Sequence, residues 1–322
     1  MRRFLIMALA VAGLAFASPA SASLSLLQAF TGAYDLSSDG CGSTGQFCTM
    51  TLNAPVGAVV TAAYLYTSTY NNPTLSGVGG TLNGNTISYT NLGDVADSCC
   101  ALAAGRANVT GIVAAAINGG AGGAYNFSYT ETDASQDGGA LVLVYSLGSL
   151  PTTTVAILDG FSATAGDTTT FNFAAALNPA APGFRAEMRL GIGFSCCSQQ
   201  STITVNGTTI TETAGNNDDN IDGGLSDGNL ITMGGDNDAF SPFLPSYAND
   251  HERYNLIAQI MNGDTSIVIN TANPSRNDNI FVAAFAVTGE AQVSDGNSIP
   301  EPASMLLLGA GLAGLGLLRR RR

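Results

Sequence analysis

Short runs of β-branched and aromatic residues follow one another along most of the chain. Clear examples occupy residues 59–66, 125–130, 140–145, 168–173 and 280–287. Clusters of Gly, Asn, Asp and Pro separate these runs, and the dipeptides Asn83-Gly84 and Asn206-Gly207 are typical of hairpin turns. Only residues 109–117 have the pattern of a short helix. The sequence therefore predicts an all-β fold, an antiparallel β-sandwich of the jelly-roll type.

The N-terminus has the pattern of a secretory signal peptide. Arg2 and Arg3 precede an apolar run at residues 4–16, and Ala20-Ser21-Ala22 matches an A-x-A cleavage site. We therefore expect residues 1–22 to be a signal peptide and the chain to be exported. The predicted β-sandwich body is then residues 23–292, with Pro151 as a candidate division into two lobes and residues 293–299 as a linker.

The C-terminus consists of three parts in a fixed order. A Pro-Glu-Pro tripeptide is followed by an uncharged apolar run at residues 303–318 and then by four arginines. As a helix the apolar run would be about 24 Å long, somewhat short of a hydrocarbon core of about 30 Å. The arginines favour the cytoplasmic side of a membrane. One interpretation is an ordinary C-terminal membrane anchor.

The same three parts, in this order, resemble the PEP-CTERM sorting signal of Gram-negative bacteria. The motif residues are Pro300, Glu301, Pro302, Arg319, Arg320, Arg321 and Arg322. The resemblance covers only the C-terminal end and implies recognition by an exosortase, a membrane protease that cuts near the tripeptide. It also implies that the single transmembrane helix 303–318 holds the protein in the inner membrane only transiently. The body would then reach the cell surface or the extracellular space.

Both ends are cationic, whereas the body is strongly acidic. Residues 23–299 contain five arginines, no lysine and 23 acidic residues, a net charge of about −18. Such a surface repels nucleic acids and anionic lipids and attracts divalent cations. The absence of lysine excludes Schiff-base chemistry and a lysine general base.

The six cysteines predict disulfides, because an even number in an exported chain is typical of a disulfide framework. Cys41 and Cys48 flank a short glycine-rich loop, so we expect a local bridge between them. Cys99, Cys100, Cys196 and Cys197 form two adjacent pairs, which could cross-link to each other or each close a vicinal ring. Zinc is an alternative, but adjacent pairs lack the C-x₂-C spacing of zinc ligands.

A recurring acidic pattern predicts calcium binding. Residues 35–40, 133–138 and 218–223 all read D-x-[SN]-x-D-G, which is how the start of a calcium loop presents several oxygen ligands. The candidate Ca²⁺ ligands are Asp35, Asp39, Asp133, Asp137, Asp218, Asn220 and Asp222. None of the three segments has the glutamate at loop position 12, so the predicted sites are weak and are not EF-hands. The third is the strongest candidate because Asp227, Asp236 and Asp238 follow it.

The sequence gives little support for a catalytic site. The only histidine, His251, lies among polar turn residues, and the G-x-S-x-G match at residues 224–228 lacks a strand before it and a helix after it. We expect an exported, non-catalytic structural or adhesive protein of the extracellular matrix or biofilm. Its expected partners are an exosortase and extracellular polysaccharide or other matrix components. The alternatives are a secreted hydrolase acting on polysaccharide and a lectin-like sugar-binding module.

Overall fold

The computed structural model describes residues 23–42, 45–95, 101–193, 201–215, 231–246, 248–274 and 279–296. These residues are mostly β-strand, and every strand pair is antiparallel, which confirms the all-β class. The first half contains β1 (Leu24–Gly32), β2 (Tyr34–Gly42), β3 (Phe47–Ala54), β4 (Val59–Thr69), β5 (Gly79–Leu82), β6 (Asn85–Ser88), β7 (Thr90–Val95), β8 (Leu102–Asn108), helix α1 (Thr110–Ile117), β9 (Gly123–Glu131) and β10 (Gly138–Ser146).

The second half contains β11 (Thr153–Gly160), β12 (Asp167–Phe173), β13 (Ala186–Gly193), β14 (Ser201–Val205), β15 (Thr208–Ala214), β16 (Ile231–Met233), β17 (Arg253–Asn255), a 3₁₀ turn (Ile257–Gln259), β18 (Ser266–Ala272), β19 (Asn279–Thr288) and β20 (Ala291–Ser294). Sheet A has the order β1-β11-β19-β13-β16, with β17 also paired to β13. Sheet B is β2-β10-β4-β8-β7, sheet C is β3-β9-β5-β6, and sheet D is β15-β14-β18-β12-β20.

The four sheets stack in the order C, B, A, D. Three apolar clusters lie between them: Leu52, Leu65 and Phe127 belong to the C/B core, Tyr66 and Phe281 to the B/A core, and Phe171, Leu190 and Phe285 to the A/D core. Because strand side chains alternate between faces, a strand in an inner sheet is buried on both sides. This explains why residues 140–145 read as a continuous apolar run instead of an alternating one.

The inner sheets approach closely at their edges. A Cβ on Gly40 of β2 would lie 2.7 Å from the Cβ of Met233 of β16, a distance that only glycine allows. This contact brings the segment after β16 beside β2, although the two are about 200 residues apart in sequence. The stacking thus creates sites that combine residues from both halves of the chain.

The two halves of the chain are interlocked. The chain passes from sheet B to sheet A through residues 147–152, which include Pro151. However, the first strand of the body, β1, pairs with β11 of the second half, from Leu24 opposite Gly160 to Gly32 opposite Thr153. The halves also share the B/A core. They therefore pack as one body.

Several local predictions are confirmed. Asn83-Gly84 joins β5 to β6 and Asn206-Gly207 joins β14 to β15, and all four residues have the positive φ angles of such turns. Helix α1 matches the helical pattern at residues 109–117. Strand β20 extends to Ser294, two residues into the segment 293–299 that the sequence predicts as a linker. The predicted signal peptide and the predicted membrane helix 303–318 lie outside the described residues.

Candidate functional site

A polar pocket of about 400 Å³ opens at the edge where sheet A meets sheets B and C. We call it the charged pocket. Its polar lining residues are Asp35, Asn53, Tyr145, Arg185, Arg189, Asp236 and Arg253. Three of the five arginines of this acidic body therefore surround one pocket.

The alternation of strand side chains places the central charges. Alternate positions are occupied by Arg185, immediately before β13, and by Glu187 and Arg189 within it, so the three side chains share the face turned toward sheet B. The other face of β13 carries Met188 and Leu190, which pack into the A/D core. Arg253 of β17 lies directly opposite Arg189 in the strand pair.

Glu187 is the centre of the ion-pair network beneath the pocket. Its Oε2 accepts hydrogen bonds from Arg185 Nε at 2.9 Å and Nη2 at 2.7 Å. Its Oε1 accepts from Arg189 Nε at 2.6 Å and Arg253 Nε at 2.9 Å. Burial alone would raise the pKa of Glu187, but the three arginine charges outweigh it and hold the pKa down to about 2. The carboxylate is therefore ionised throughout the physiological pH range.

Two aspartates complete the network at the mouth of the pocket. Asp35 pairs with Arg185, and Asp236 Oδ1 accepts from Arg189 Nη1 at 2.6 Å. Asp236 Oδ2 also accepts from Ser37 Oγ at 2.5 Å and from Asn53 Nδ2 at 3.3 Å. Arg253 in turn lies 4.6 Å from the ring centroid of Phe240. The arrangement fixes polar groups from five segments around one opening.

A second pocket, of about 380 Å³, lies beside the segment that follows Phe240. Its lining is mainly apolar and includes Ile210, Phe243 and Tyr254. The Phe243 side chain is 60% exposed, so its ring is available for stacking. The lining of this second pocket lacks a comparable set of fixed charges. The charged pocket is therefore the stronger candidate for specific recognition.

The structure separates the predicted calcium ligands. Residues 35–40, where the acidic pattern predicts the start of a calcium loop, lie within strand β2, paired with β10. Asp35 belongs to the charged pocket, and Asp39 Oδ2 accepts from the Thr51 amide at 2.5 Å. Residues 133–138 do form a turn, in which Asp133 Oδ1 accepts from the Ser135 amide at 2.8 Å. Asp218, Asn220 and Asp222 lie outside the described residues.

Among the described residues, no group of three or more His, Cys, Asp or Glu side chains is arranged to hold a metal ion. Asp137 is 6% exposed and lies beside Glu131 of β9, which the acidic pattern did not include. A signal for Glu131 existed in the sequence: it follows Phe127 and Tyr129 at alternate strand positions and so faces the same core.

The Cys41–Cys48 disulfide is present in the structure, as the short loop between the two residues predicts. It joins the end of β2 to the start of β3. Cys99, Cys100, Cys196 and Cys197 lie outside the described residues, so their pairing stays a prediction.

Sequence reasoning missed the charged pocket as a unit. The available signal was the alternation Arg185-Ala186-Glu187-Met188-Arg189, which places three charges on one face of a strand. That face would normally be solvent-exposed, and nothing in the local sequence indicates that it is covered by sheet B. The partners Asp35 and Asp236 come from distant parts of the chain.

Residues 298–322 match the family model of the PEP-CTERM protein-sorting motif. The chain carries a PEP-CTERM sorting motif. The match covers the sorting motif alone and assigns no family to the body. The motif implies processing by an exosortase and export to the cell surface. No curated protein matches the chain. Within the part of the chain that the structure describes, no helix has the length and hydropathy needed to cross a membrane.

Solved structures resemble this chain only distantly. They include wild-type BuGH86 in complex with neoagarooctaose (11% identity, 82% of this chain and 34% of that chain, TM-score 0.21). Another is BpGH86A, a β-porphyranase of glycoside hydrolase family 86 from Bacteroides plebeius (11% identity, 86% of this chain and 38% of that chain, TM-score 0.18). A third is the mavirus major capsid protein (8% identity, 84% of this chain and 92% of that chain, TM-score 0.19). The chain spans about a third of the length of the two GH86 chains, and TM-scores this low carry no argument about fold or activity.

Proposed function

We propose that the body is an exported, surface-delivered adhesive protein that binds extracellular polysaccharide in the charged pocket without cleaving it. The observation that carries the proposal is the pocket itself, where guanidinium, carboxylate, amide and phenol groups converge on one opening. Polar groups fixed in this way give orientation and specificity to a bound ligand. A polysaccharide offers many hydroxyl groups to such a set.

The charge balance of the pocket favours a neutral ligand. The positive charges of Arg185, Arg189 and Arg253 are matched by the negative charges of Asp35, Glu187 and Asp236. The remainder of the body is strongly anionic and repels polyanions. A neutral or weakly charged glycan is therefore the ligand class that best fits the pocket.

The protonation states support adhesion over hydrolysis. A glycosidase needs a protonated carboxylic acid next to a second carboxylate. Beneath the charged pocket, Glu187 has a pKa of about 2 and is ionised. Among the described residues, the carboxyl groups with raised pKa are those of Glu131, Asp137, Asp159 and Asp167, which are each at most 9% exposed and do not line the pocket.

Glycan-array binding by the exported protein tests the proposal. Replacing Asn53 with Ala or Arg185 with Gln should weaken binding to the preferred glycan at least about tenfold, which corresponds to about 1.4 kcal/mol. The matched control is Asn126→Ala, an exposed asparagine on the neighbouring strand β9 that does not line the pocket. If Phe243→Ala removes binding and Asn53→Ala does not, the second pocket is the binding site.

A polysaccharide-degradation assay, run on the same glycans, tests the absence of catalysis. The expected result is unchanged chain length after prolonged incubation. Release of oligosaccharides by wild type, abolished by substitution of Asp35 or Asp236 in the charged pocket, would establish the hydrolase alternative instead.

Mass spectrometry of protein released to the medium tests the sorting step. The expected polypeptide lacks residues 1–22 and ends close to Pro300. If most exported molecules retain Arg319–Arg322, the tail acts as an ordinary membrane anchor and exosortase processing is refuted.

A further inference from the structure

Two buried carboxyl groups lie at the same end of the C/B core. Glu131 is the last residue of β9, and Asp137 immediately precedes β10. The Gly138 amide donates a hydrogen bond to Glu131 Oε1 at 2.8 Å and so holds Glu131 against the start of β10. This place is at the opposite end of β9 from Gly123, which lines the charged pocket. It is a separate site.

Each carboxyl group has one oxygen without a partner. Glu131 and Asp137 are 9% and 6% exposed, yet Glu131 Oε2 and Asp137 Oδ2 accept no hydrogen bond within the described part of the chain. None of the ion pairs between described residues includes either group. A buried charge without a partner is strongly unfavourable, so the pair requires a proton or a cation.

The neutral donors beside the pair are largely committed to one another. Gln136 Nε2 donates to the Tyr129 hydroxyl at 3.0 Å, and the hydroxyls of Tyr129 and Tyr89 lie 2.8 Å apart. Gln136 Oε1 accepts from the amides of Gly79 and Asp133. These bonds form a rigid polar wall beside the two carboxyl groups but leave the two unpartnered oxygens unsatisfied.

We propose that Glu131 and Asp137 together bind a hard divalent cation of the Ca²⁺ type. Carboxylate and carbonyl oxygens are the ligands such cations prefer, and carbonyls lie next to the pair. A Cβ on Gly138 would fall 1.9 Å from the Cys41 carbonyl oxygen, and the Ser68 carbonyl accepts the Asp137 amide at 3.1 Å. With two carboxylates the site should be weak, with a Kd of about 10⁻⁴ to 10⁻³ M.

This assignment changes the ligand set that the sequence pattern predicts for the turn. The pattern pairs Asp137 with Asp133, but both the amide and the hydroxyl of Ser135 donate to Asp133 Oδ1. The pattern also omits Glu131, which the fold brings to Asp137. In support, burial and the neighbouring Asp137 charge raise the pKa of Glu131 to about 7, although the Gly138 amide and the Tyr129 side chain oppose them, and burial raises the pKa of Asp137 to about 7.

Thermal unfolding of the exported protein, in chelator and in millimolar Ca²⁺, tests the site. Wild type should gain about 2–4 °C in midpoint with calcium. Glu131→Gln and Asp137→Asn should each lose this gain, whereas the matched control Asp133→Asn should keep it. In chelator, Glu131→Gln should unfold no lower than wild type, because the amide removes an unpaired buried charge. A lower midpoint would mean that Glu131 Oε2 has a partner, and would overturn the assignment.

Tb³⁺ provides a second readout that does not depend on stability. The chain has ten tyrosines and no tryptophan, so Tb³⁺ emission excited through tyrosine reports an ion near Tyr129 or Tyr89. Glu131→Gln should abolish this emission and Asp133→Asn should not. The assignment is overturned if wild type gains nothing from calcium. It is also overturned if only Asp218→Ala with Asp222→Ala removes the calcium effect.

Discussion

Two groups of buried carboxylic acids in this body have opposite electrostatic surroundings. Glu187, 2% exposed, contacts three arginines, and its pKa is about 2. Glu131 and Asp137 are almost as deeply buried, but no arginine pairs with them among the described residues, and the pKa of each is about 7. Since the depth of burial is similar, the difference comes from where the few arginines of the body lie.

The comparison shows how a body without lysine distributes its cations. Three of its five arginines surround Glu187 beneath the charged pocket, and Arg106 pairs with Asp159 in the B/A core. The fifth, Arg276, lies outside the described residues. The Glu131–Asp137 pair then depends on protons or on a cation from the medium, so the two regions should respond in opposite ways to mutation and to pH.

The largest effect is expected from Glu187→Gln. This change removes the one carboxylate that contacts all three arginines and leaves Arg189, whose side chain is 1% exposed, with less than its full charge compensation. Breaking a buried ion pair by removing one partner costs about 3–5 kcal/mol in the free energy of unfolding. Urea denaturation measures the loss. The control Glu212→Gln, an exposed glutamate on β15, should be within about 0.5 kcal/mol of wild type. A loss below about 1 kcal/mol for Glu187→Gln would mean that the network is not stabilising.

The next effect is a pH dependence of opposite sign in the two regions, measured without calcium. Glu131 and Asp137 have folded-state pKa values raised from 4.5 and 3.8 to about 7, so the folded protein binds more protons than the unfolded chain in this range. Their contribution should fall as pH rises from about 4 to about 8, by on the order of 3 kcal/mol for each group. Glu187 has a lowered folded-state pKa, so its contribution is complete above about pH 4.5 and is lost as pH falls toward 2.

Stability measured across this range should therefore be highest near pH 4–5. The double variant Glu131→Gln, Asp137→Asn should flatten the decline above pH 5 and leave the acid limb unchanged. If wild type shows no decline between pH 5 and 8, the carboxyl pair is already neutralised by the protein and the contrast between the two regions is wrong.

A third, slightly smaller effect concerns the Cys41–Cys48 disulfide, which borders only one of the two regions. The double variant Cys41→Ser, Cys48→Ser should lose about 2.5 kcal/mol in the free energy of unfolding, on the chain-entropy model for a short loop. Because the Cys41 carbonyl lies against Gly138, the variant should also weaken the decline above pH 5. The acid limb of Glu187 serves as the internal control. Equal changes in both limbs would show that the disulfide acts on the whole body instead.

The sequence predicts those features that depend on neighbouring residues. The hairpins at Asn83-Gly84 and Asn206-Gly207, the helix α1 and the Cys41–Cys48 bridge are all local, and each is present. The acidic pattern shows the limit of local reading. The same pattern forms a turn at residues 133–138 but a buried strand at residues 35–40, because pairing with β10 overrides the turn preference of Asp, Ser and Gly.

The candidate sites depend on contacts that local patterns do not encode. Asp35 and Arg185 are 150 residues apart, and Ser37 and Asp236 are 199 apart. They meet only because sheets A and B stack, and sequence alternation gives the face of a strand but not which sheet covers it. The prediction of a single sandwich also gives too few layers. An apolar run such as residues 140–145 indicates a strand that is buried on both faces, but it does not indicate how many sheets are stacked.

The smallest effect is expected from Arg106→Gln, which tests a case between the two extremes. Asp159 is 4% exposed and accepts hydrogen bonds from Arg106 Nη1 at 2.6 Å and from the Tyr66 hydroxyl at 3.1 Å. Burial raises the pKa of Asp159 even though Arg106 opposes it, so one partly exposed arginine does not offset the burial.

Without Arg106 this pKa should rise further, and Asp159 can take up a proton while keeping the Tyr66 contact. The cost is then limited to that of protonation, about 1–2 kcal/mol at neutral pH, and it should shrink toward pH 5, where protonation is easier. Urea denaturation at both pH values measures this, with Asp159→Asn as the matched variant, which should show no such pH dependence. A cost for Arg106→Gln that is the same at both pH values would show that Asp159 stays ionised, as Glu187 does, and that the arginine is needed for packing.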